Sequence, residues 1–148
     1  MKVAGGNVGR VFFLRLEDGD VLHESVEQFA RDVGIQHGAC WFLGGADTGS
    51  KLIVGPEDGR AERIVPTLAA LDGVHEAAGV GTIVPGESGE PILHMHAVFG
   101  RGEATRSGCV RAGVATWLIG EVVVLEVLDC PATRRRDPAS GFELLETD

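Results

Sequence analysis

Two histidines separated by one residue, His94 and His96, stand in the apolar run "PILHMHAVFGR" at residues 91–101. The run is typical of a β-strand, in which residues i and i+2 point to the same face, so the two imidazoles would project together. Their Cα atoms would lie about 6.5–7 Å apart. From that baseline, two ring nitrogens can converge on one ion at Zn–N distances of about 2.0–2.1 Å. The spacing predicts a site for zinc or a similar divalent transition metal, with a third ligand from elsewhere in the chain.

Two side chains are candidates for that third ligand. Cys109 follows the segment "GRGEATRSG", which we interpret as a turn, and a hairpin around it would place Cys109 near Val98, on the face of His96. A thiolate is a strong zinc ligand. His75, in "GVHEAAG", belongs to the preceding predicted strand and would lie near the far end of the same hairpin system. A register shift of one residue reverses the face of either candidate, so the sequence leaves both open.

A histidine-centred metal site is compatible with two classes of function. A closed site with four ligands would indicate a structural role in a binding module, whereas three protein ligands and a water would suit a metal-dependent hydrolase or lyase. In the second case an acidic residue such as Glu76 or Glu126 would act as the base. Other catalytic motifs are absent from the sequence, which has no Walker A segment, no serine in a nucleophile elbow and no complete dinucleotide-binding glycine pattern around "AGVGTIV".

The elements that must position these residues are mostly short strands. A strand is predicted from about Val8 to Leu16, and a helix follows, with Asp20 as its N-cap and Gly34 as its C-cap. One apolar stripe recurs at helical spacing in that helix: Leu22, Val26, Phe29, Ala30 and Val33. Further apolar segments alternate with turns every eight to twelve residues. The pattern predicts an α+β fold, with one main amphipathic helix covering a largely antiparallel sheet.

Length and composition indicate one domain. The 148 residues are enough to bury a core, and we expect a single domain over residues 1–148, with its core at about 8–130 and a C-terminal tail at 131–148. The arginines of "TRRRD", Arg134 to Arg136, are interpreted as part of a solvated tail. The apolar residues beyond them could dock back onto the body of the domain: Phe142, Leu144 and Leu145.

The net charge and the number of cysteines bear on the cellular compartment and on the kinds of partner. A net charge of −9 argues against a broad nucleic-acid interface, which needs Lys and Arg to neutralise phosphates. The three cysteines, Cys40, Cys109 and Cys130, are an odd number at irregular spacing, which favours a reducing compartment. The sequence has no apolar stretch of membrane-spanning length and no signal-peptide pattern. We therefore expect a cytoplasmic protein without a membrane partner.

Several stretches together resemble the PPC ("plants and prokaryotes conserved") domain, over roughly residues 8–145. They are "RLEDGDVLHESVEQFARDVGIQHGACWFLGGADTGSKL", "VHEAAGVGTI", "GEPILHMHAVFGR" and "SGCVRAGVATWLIGEVVVLEV". The resemblance implies an α+β fold and a homotrimer, and it implies that the "LHMH" histidines face a site that holds a metal such as zinc in some prokaryotic relatives. The family commonly has "GGH" where this chain has "SGC", so Cys109 stands where many members have histidine.

The resemblance implies DNA binding only by analogy. In plants the domain follows an AT-hook, whose Gly-Arg-Pro core enters the minor groove, and this chain has no such core. A shared fold does not by itself carry a function. The expectation from the sequence is therefore a stand-alone prokaryotic PPC-domain protein, trimeric, with a metal or ligand site and a regulatory or DNA-binding role by family analogy.

Overall fold

A computed structural model describes residues 1–61 and 64–147. The elements in chain order are β1 (Asn7–Glu17), α1 (Leu22–Val33), β2 (Gly38–Ala46), β3 (Lys51–Pro56), β4 (Pro66–Ala70), β5 (His75–Pro85), β6 (Pro91–Arg101), β7 (Ala104–Cys109), β8 (Thr116–Leu128), β9 (Thr133–Arg136) and β10 (Glu143–Glu146), with a 3₁₀ turn at Val110–Ala112. In this part of the chain, no helix is long and apolar enough to cross a membrane.

Eight of the strands form one sheet, in the order β1-β8-β2-β5-β6-β7-β3-β4. Every neighbouring pair in it is antiparallel. The last two strands, β9 and β10, form a separate antiparallel hairpin. The prediction of an α+β fold with a largely antiparallel sheet and one main helix is confirmed.

The helix ends where the sequence predicts and begins one residue later than expected. Gly34 adopts a left-handed conformation with φ of 75°, which favours glycine because it has no Cβ. The N-cap is Val21, which makes no side-chain capping bond, so the prediction of Asp20 as N-cap is wrong. The Asp20 carboxylate instead accepts a hydrogen bond from the backbone N–H of Glu17 at 2.8 Å and closes the turn that precedes the helix.

The core lies between α1 and the inner face of the sheet. Leu22, Val26 and Ala30 of α1 are fully buried against a cluster of strand residues that includes Phe42, Leu93, Met95, Phe99, Val122 and Val124. Gly81 of β5 lies opposite Met95, and a Cβ at this glycine would lie 2.8 Å from the Cβ of Met95. The glycines of "AGVGTIV" therefore allow close packing between β5 and β6.

Near His94, the side of β6 that faces away from β5 forms its backbone hydrogen bonds with side chains rather than with a strand. The neighbouring strand β7 ends at Cys109. Beyond that point, the backbone N–H of Leu93 donates to Glu27 Oε1 at 2.9 Å, and the Leu93 carbonyl accepts from Arg111 Nη1 at 2.9 Å. Arg111 and Glu27 also form an ion pair at 2.8 Å. The helix and the 3₁₀ turn thus replace a strand partner and fix this part of β6.

Candidate metal centre

The two histidines of β6 lie on the outer face of the sheet, away from α1. Both are exposed, whereas Met95 between them is fully buried. The Nε2 atoms of His94 and His96 are 3.2 Å apart. The ring centroids are 4.9 Å apart and the ring planes are nearly perpendicular, at 88°. The alternation of the strand places the two imidazoles together, as the spacing predicts.

Cys109 joins the pair by a different register from the expected one. Its partner across the β6–β7 ladder is His96, whereas Val98 lies opposite Ser107. The difference arises because the segment "ATRSG", interpreted as part of a turn, belongs to strand β7, and the turn comprises residues 102–103 alone. Gly102 takes a φ of 58° there, which permits such a tight hairpin turn.

The side chains of His94, His96 and Cys109 form a compact donor set. One nitrogen of each imidazole and the Cys109 Sγ all lie within 4.8 Å of one another. Two Zn–N bonds of 2.0–2.1 Å at a tetrahedral angle separate their nitrogens by about 3.3 Å, close to the 3.2 Å between the two Nε2 atoms. Two imidazoles and a thiol are a donor set that zinc accepts. The residues present therefore fit the predicted metal.

The surroundings favour the neutral, metal-binding form of His94. Burial lowers the pKa of His94, and the nearby charges of Arg134, His96 and Arg111 act in the same direction. A neutral imidazole offers a lone pair to a metal, whereas a protonated ring cannot. Without a metal, one neutral ring can donate a hydrogen bond to the other, since 3.2 Å lies within hydrogen-bonding range.

His75, the alternative third ligand, is not brought to this site. It begins β5 opposite Ala46, is only 2% exposed, and its Nδ1 lies 2.8 Å from the carbonyl oxygen of Gly73. The residue of β5 opposite His94 is Thr82, seven positions further along. At the rise of a β-strand that separation is about 23 Å. Within the chain, His75 therefore cannot share an ion with His94.

A cavity of about 570 Å³ adjoins the donor set. The β9–β10 hairpin contributes one side of it, and the sheet and the 3₁₀ turn contribute the other. Its apolar lining includes Ile53, Ile92, Phe142 and Leu144, and its charged lining comprises Arg111, Arg134 and Glu143. Of the three apolar residues expected to dock back onto the domain, Phe142 and Leu144 line this cavity but remain 44% exposed each, and Leu145 does not line it and is 50% exposed.

The interpretation of residues 134–136 as a solvated tail is wrong for Arg134. Because β9 pairs with β10, alternate side chains of this segment face opposite ways. Arg134 turns inward and is 6% exposed, and Arg135 faces the other way and is exposed. Arg136 lies on the face of Arg134 at the end of β9 and is exposed as well. The Arg134 Nη2 donates to Thr82 Oγ1 at 3.0 Å. A run of three arginines does not reveal which of them is buried, and no signal in the sequence distinguishes Arg134 from Arg136.

The two acidic residues considered as bases do not face the cavity. Glu126 lies on the inner side of β8, where the Arg10 Nε and Nη2 each donate to a different carboxylate oxygen at 2.7 Å. Hydrogen bonds from the Arg10 side chain and backbone lower the pKa of Glu126 to about 2, which makes it a poor base. Glu76 is exposed, and it lies opposite Gly100, near the end of β6 remote from His94.

Solved structures with the same fold come from archaea and bacteria. A PPC protein of Pyrococcus horikoshii is 20% identical, with a TM-score of 0.84 over 99% of this chain and 97% of that chain. A metal-containing protein of Archaeoglobus fulgidus is 24% identical, with a TM-score of 0.83 over 99% of both chains. A protein of Ralstonia eutropha JMP134, provisionally assigned as DNA-binding, is 22% identical, with a TM-score of 0.69 over 92% of this chain and 90% of that chain.

At these identities the likeness shows the fold. No curated protein has a sequence that matches this chain. The family is shown by a sequence profile, that of the Plants and Prokaryotes Conserved (PCC) domain, which matches residues 3–128. This range covers the sheet from β1 to β8 and all three residues of the donor set. The resemblance carried by the "LHMH" run is therefore confirmed, and the chain belongs to the Plants and Prokaryotes Conserved domain family.

Proposed function

We propose that this protein is a trimeric metal-binding module in which His94, His96 and Cys109 hold zinc or a similar divalent transition metal. The observation that carries the proposal is the separation of 3.2 Å between the two Nε2 atoms, which is close to the edge of a tetrahedral zinc site. The metal-containing relative from Archaeoglobus fulgidus, with the same fold, supports it. In this role the metal would fix the imidazoles and offer its remaining position to the cavity.

Elemental analysis of the purified protein tests the metal site. We expect about one metal ion per chain in the wild type and a near-complete loss in the double variant His94→Ala/His96→Ala, because two of the three ligands are removed. His75→Gln is the matched control, since His75 lies at the remote end of β5. Equal metal contents in the wild type and the double variant would contradict the proposal, as would a loss of metal from the folded His75→Gln variant.

The open cavity favours a second candidate function, that of a metal-dependent hydrolase or lyase. Three protein ligands leave a coordination position for water, and Glu143 is a carboxylate that lines the same cavity. Turnover of p-nitrophenyl acetate by zinc-loaded protein, compared with Glu143→Gln, tests this candidate. A zinc-dependent rate that falls in the variant would favour catalysis, and the same rate in both proteins would count against it.

A trimer is proposed because the family resemblance implies one and because the outer face of the sheet is apolar and exposed. Phe13 is 83% exposed, Val80 is 63% exposed and Trp41 is 45% exposed. Neighbouring strands align these side chains into one row, in which Trp41 lies opposite Val80 and Val80 lies opposite His96. Such a contiguous apolar surface is normally hidden by assembly. Light scattering should give about three times the 15.6 kDa chain mass, and a stable monomer would contradict the proposal.

We expect this chain alone to bind duplex DNA weakly at physiological salt. The net charge is −9 per chain, and a trimer would carry three times that charge, which repels a polyanion. Arg134 is buried, so it adds little to a basic surface, and Arg135 and Arg136 remain. Fluorescence anisotropy with random duplex at low and then physiological salt tests this expectation. Submicromolar binding that survives physiological salt would contradict it.

A further inference from the structure

We propose that the cavity beside the histidines binds a small organic carboxylate with an apolar body, and that Arg134 recognises the carboxylate. This inference goes beyond the metal proposal, because it rests on a different group of residues and applies to the metal-free protein as well. The metal site proposed from His94, His96 and Cys109 does not itself require an arginine at position 134.

The first argument is the partly unsatisfied guanidinium of Arg134. This side chain is 6% exposed, and its Nη2 donates to Thr82 Oγ1. Its Nε is buried, with no hydrogen-bond partner among residues 1–61 and 64–147. A buried charged donor without a partner is costly, whereas a guanidinium binds a carboxylate through two parallel hydrogen bonds. Arg134 therefore has the donor capacity that an anion entering the cavity would use.

The second argument is the charged lining of the cavity, which favours a monoanion over a dianion. Arg111 is already paired with Glu27 and with the carbonyl of Leu93. Arg134 forms no ion pair within 4.0 Å in the described residues, although Glu143 lines the same cavity. The Glu143 carboxylate repels any anion in the cavity, and it repels a dianion such as a phosphate monoester about twice as strongly as a monoanion, so a monoanion suits the site better.

The third argument is the apolar lining, which fits the rest of such a molecule. Ile53, Ile92, Phe142 and Leu144 surround the space next to the charged groups. A volume of about 570 Å³ is in the range of small-molecule sites, which combine apolar walls with a few polar anchors. A ligand with a carboxylate at one end and a short hydrocarbon body satisfies both parts of the lining.

Three of the residues that would recognise the ligand belong to a segment outside the family match. The match to the PCC domain ends at residue 128, whereas Arg134, Phe142 and Leu144 lie in the β9–β10 region beyond it. The metal ligands lie within the matched range. The family part of the chain would thus supply the donor set, and the C-terminal hairpin would supply the selectivity for the ligand.

Titration of ¹⁵N-labelled protein with hexanoate and with hexanamide, followed by NMR, tests the proposal. The two probes have the same hydrocarbon body and differ in charge. We expect hexanoate to bind about tenfold or more tightly than hexanamide, with shifts confined to resonances of the cavity. Equal affinities, or the absence of saturable hexanoate binding, would overturn the proposal. The titration is done on chelator-treated and on zinc-loaded protein, so that failure of the metal proposal does not alter this test.

Two substitutions on the same strand assign the effect to Arg134. In Arg134→Gln we expect the preference for hexanoate to disappear, whereas in Arg136→Gln it is retained, because Arg136 is exposed. If the hairpin of Arg134→Gln loses its dispersed amide resonances, Arg134→Met keeps the apolar stem and takes its place. A preference that persists without Arg134 would overturn the assignment. Hexyl phosphate is the third probe, and binding tighter than that of hexanoate would overturn the preference for a monoanion.

Discussion

The two faces of β6 differ in burial and in chemistry. Leu93 and Met95 point inward and are fully buried against the core, while His94 and His96 point outward and are exposed. The four residues are consecutive, so only the two-residue alternation of a strand separates packing from chemistry. Under the proposed function, the inner face would set stability, whereas the outer face would set metal binding and assembly.

The same contrast extends across the whole sheet. The inner face is covered by α1, whose residues Leu22, Val26 and Ala30 are fully buried. The outer face carries a row of apolar side chains, Phe13, Trp41 and Val80, that stay exposed among the described residues, and the row ends at His96 beside the β9–β10 hairpin. Changes on the two faces should therefore affect different properties of the protein, which the following substitutions measure.

The largest expected effect is on the inner face. Phe99→Ala removes a fully buried ring and should lower the free energy of unfolding by about 3–5 kcal/mol. His94→Ala on the outer face, in chelator-treated protein, should change it by less than about 1 kcal/mol. Urea denaturation of both variants measures the difference. Comparable losses of stability would show that the two faces are not separate in this way.

The next effect is on assembly at the outer face. Trp41→Glu places a charge in the apolar row and should convert the proposed trimer to a folded monomer, because burying an unpaired charge at an interface is costly. Gln28→Glu, at an exposed position of α1, is the control with the same added group and should remain trimeric. Light scattering distinguishes the states. An unchanged trimer in Trp41→Glu would place the interface elsewhere.

A smaller effect distinguishes the cysteines of the two faces. Cys109→Ser should weaken metal affinity by about tenfold or more, since a hydroxyl is a poorer zinc ligand than a thiolate. Cys40→Ala should leave the affinity unchanged, because Cys40 is fully buried on the inner face and burial raises its pKa to about 12. Competition with a chromophoric chelator measures both affinities. Equal affinities in the wild type and Cys109→Ser would exclude the thiol as a ligand.

The smallest effect concerns the Arg10–Glu126 pair, on the inner side away from the histidines. Its hydrogen bonds lower the pKa of Glu126 from 4.5 to about 2. A lowered folded-state pKa means that the stabilisation is fully present above pH 4.5 and is lost as the pH falls toward 2. Glu126→Gln should therefore flatten the loss of stability over this window, as measured by urea denaturation at several pH values. The same acid dependence in both proteins would contradict this role.

Features that depend on local periodicity could be predicted from the sequence. The register of Cys109 and the burial of Arg134 could not, because they depend on which strands pair and how. Alternation in "LHMH" placed His94 and His96 on one face, and the apolar stripe predicted α1. The position of Cys109 required the length of the turn at residues 102–103, which a run of polar residues does not reveal. The burial of Arg134 depends on the pairing of β9 with β10, which the sequence does not show because a cluster of arginines is equally compatible with a solvated tail.

The most direct test of the metal proposal is X-ray absorption spectroscopy at the zinc edge of the zinc-loaded protein. The predicted first coordination sphere has one sulfur at about 2.3 Å and two imidazole nitrogens at about 2.0–2.1 Å, with the remaining ligand a light atom. In Cys109→Ser the sulfur contribution should vanish while the imidazole contribution remains. A sphere without sulfur in the wild type, or without imidazole, would contradict a centre formed by His94, His96 and Cys109.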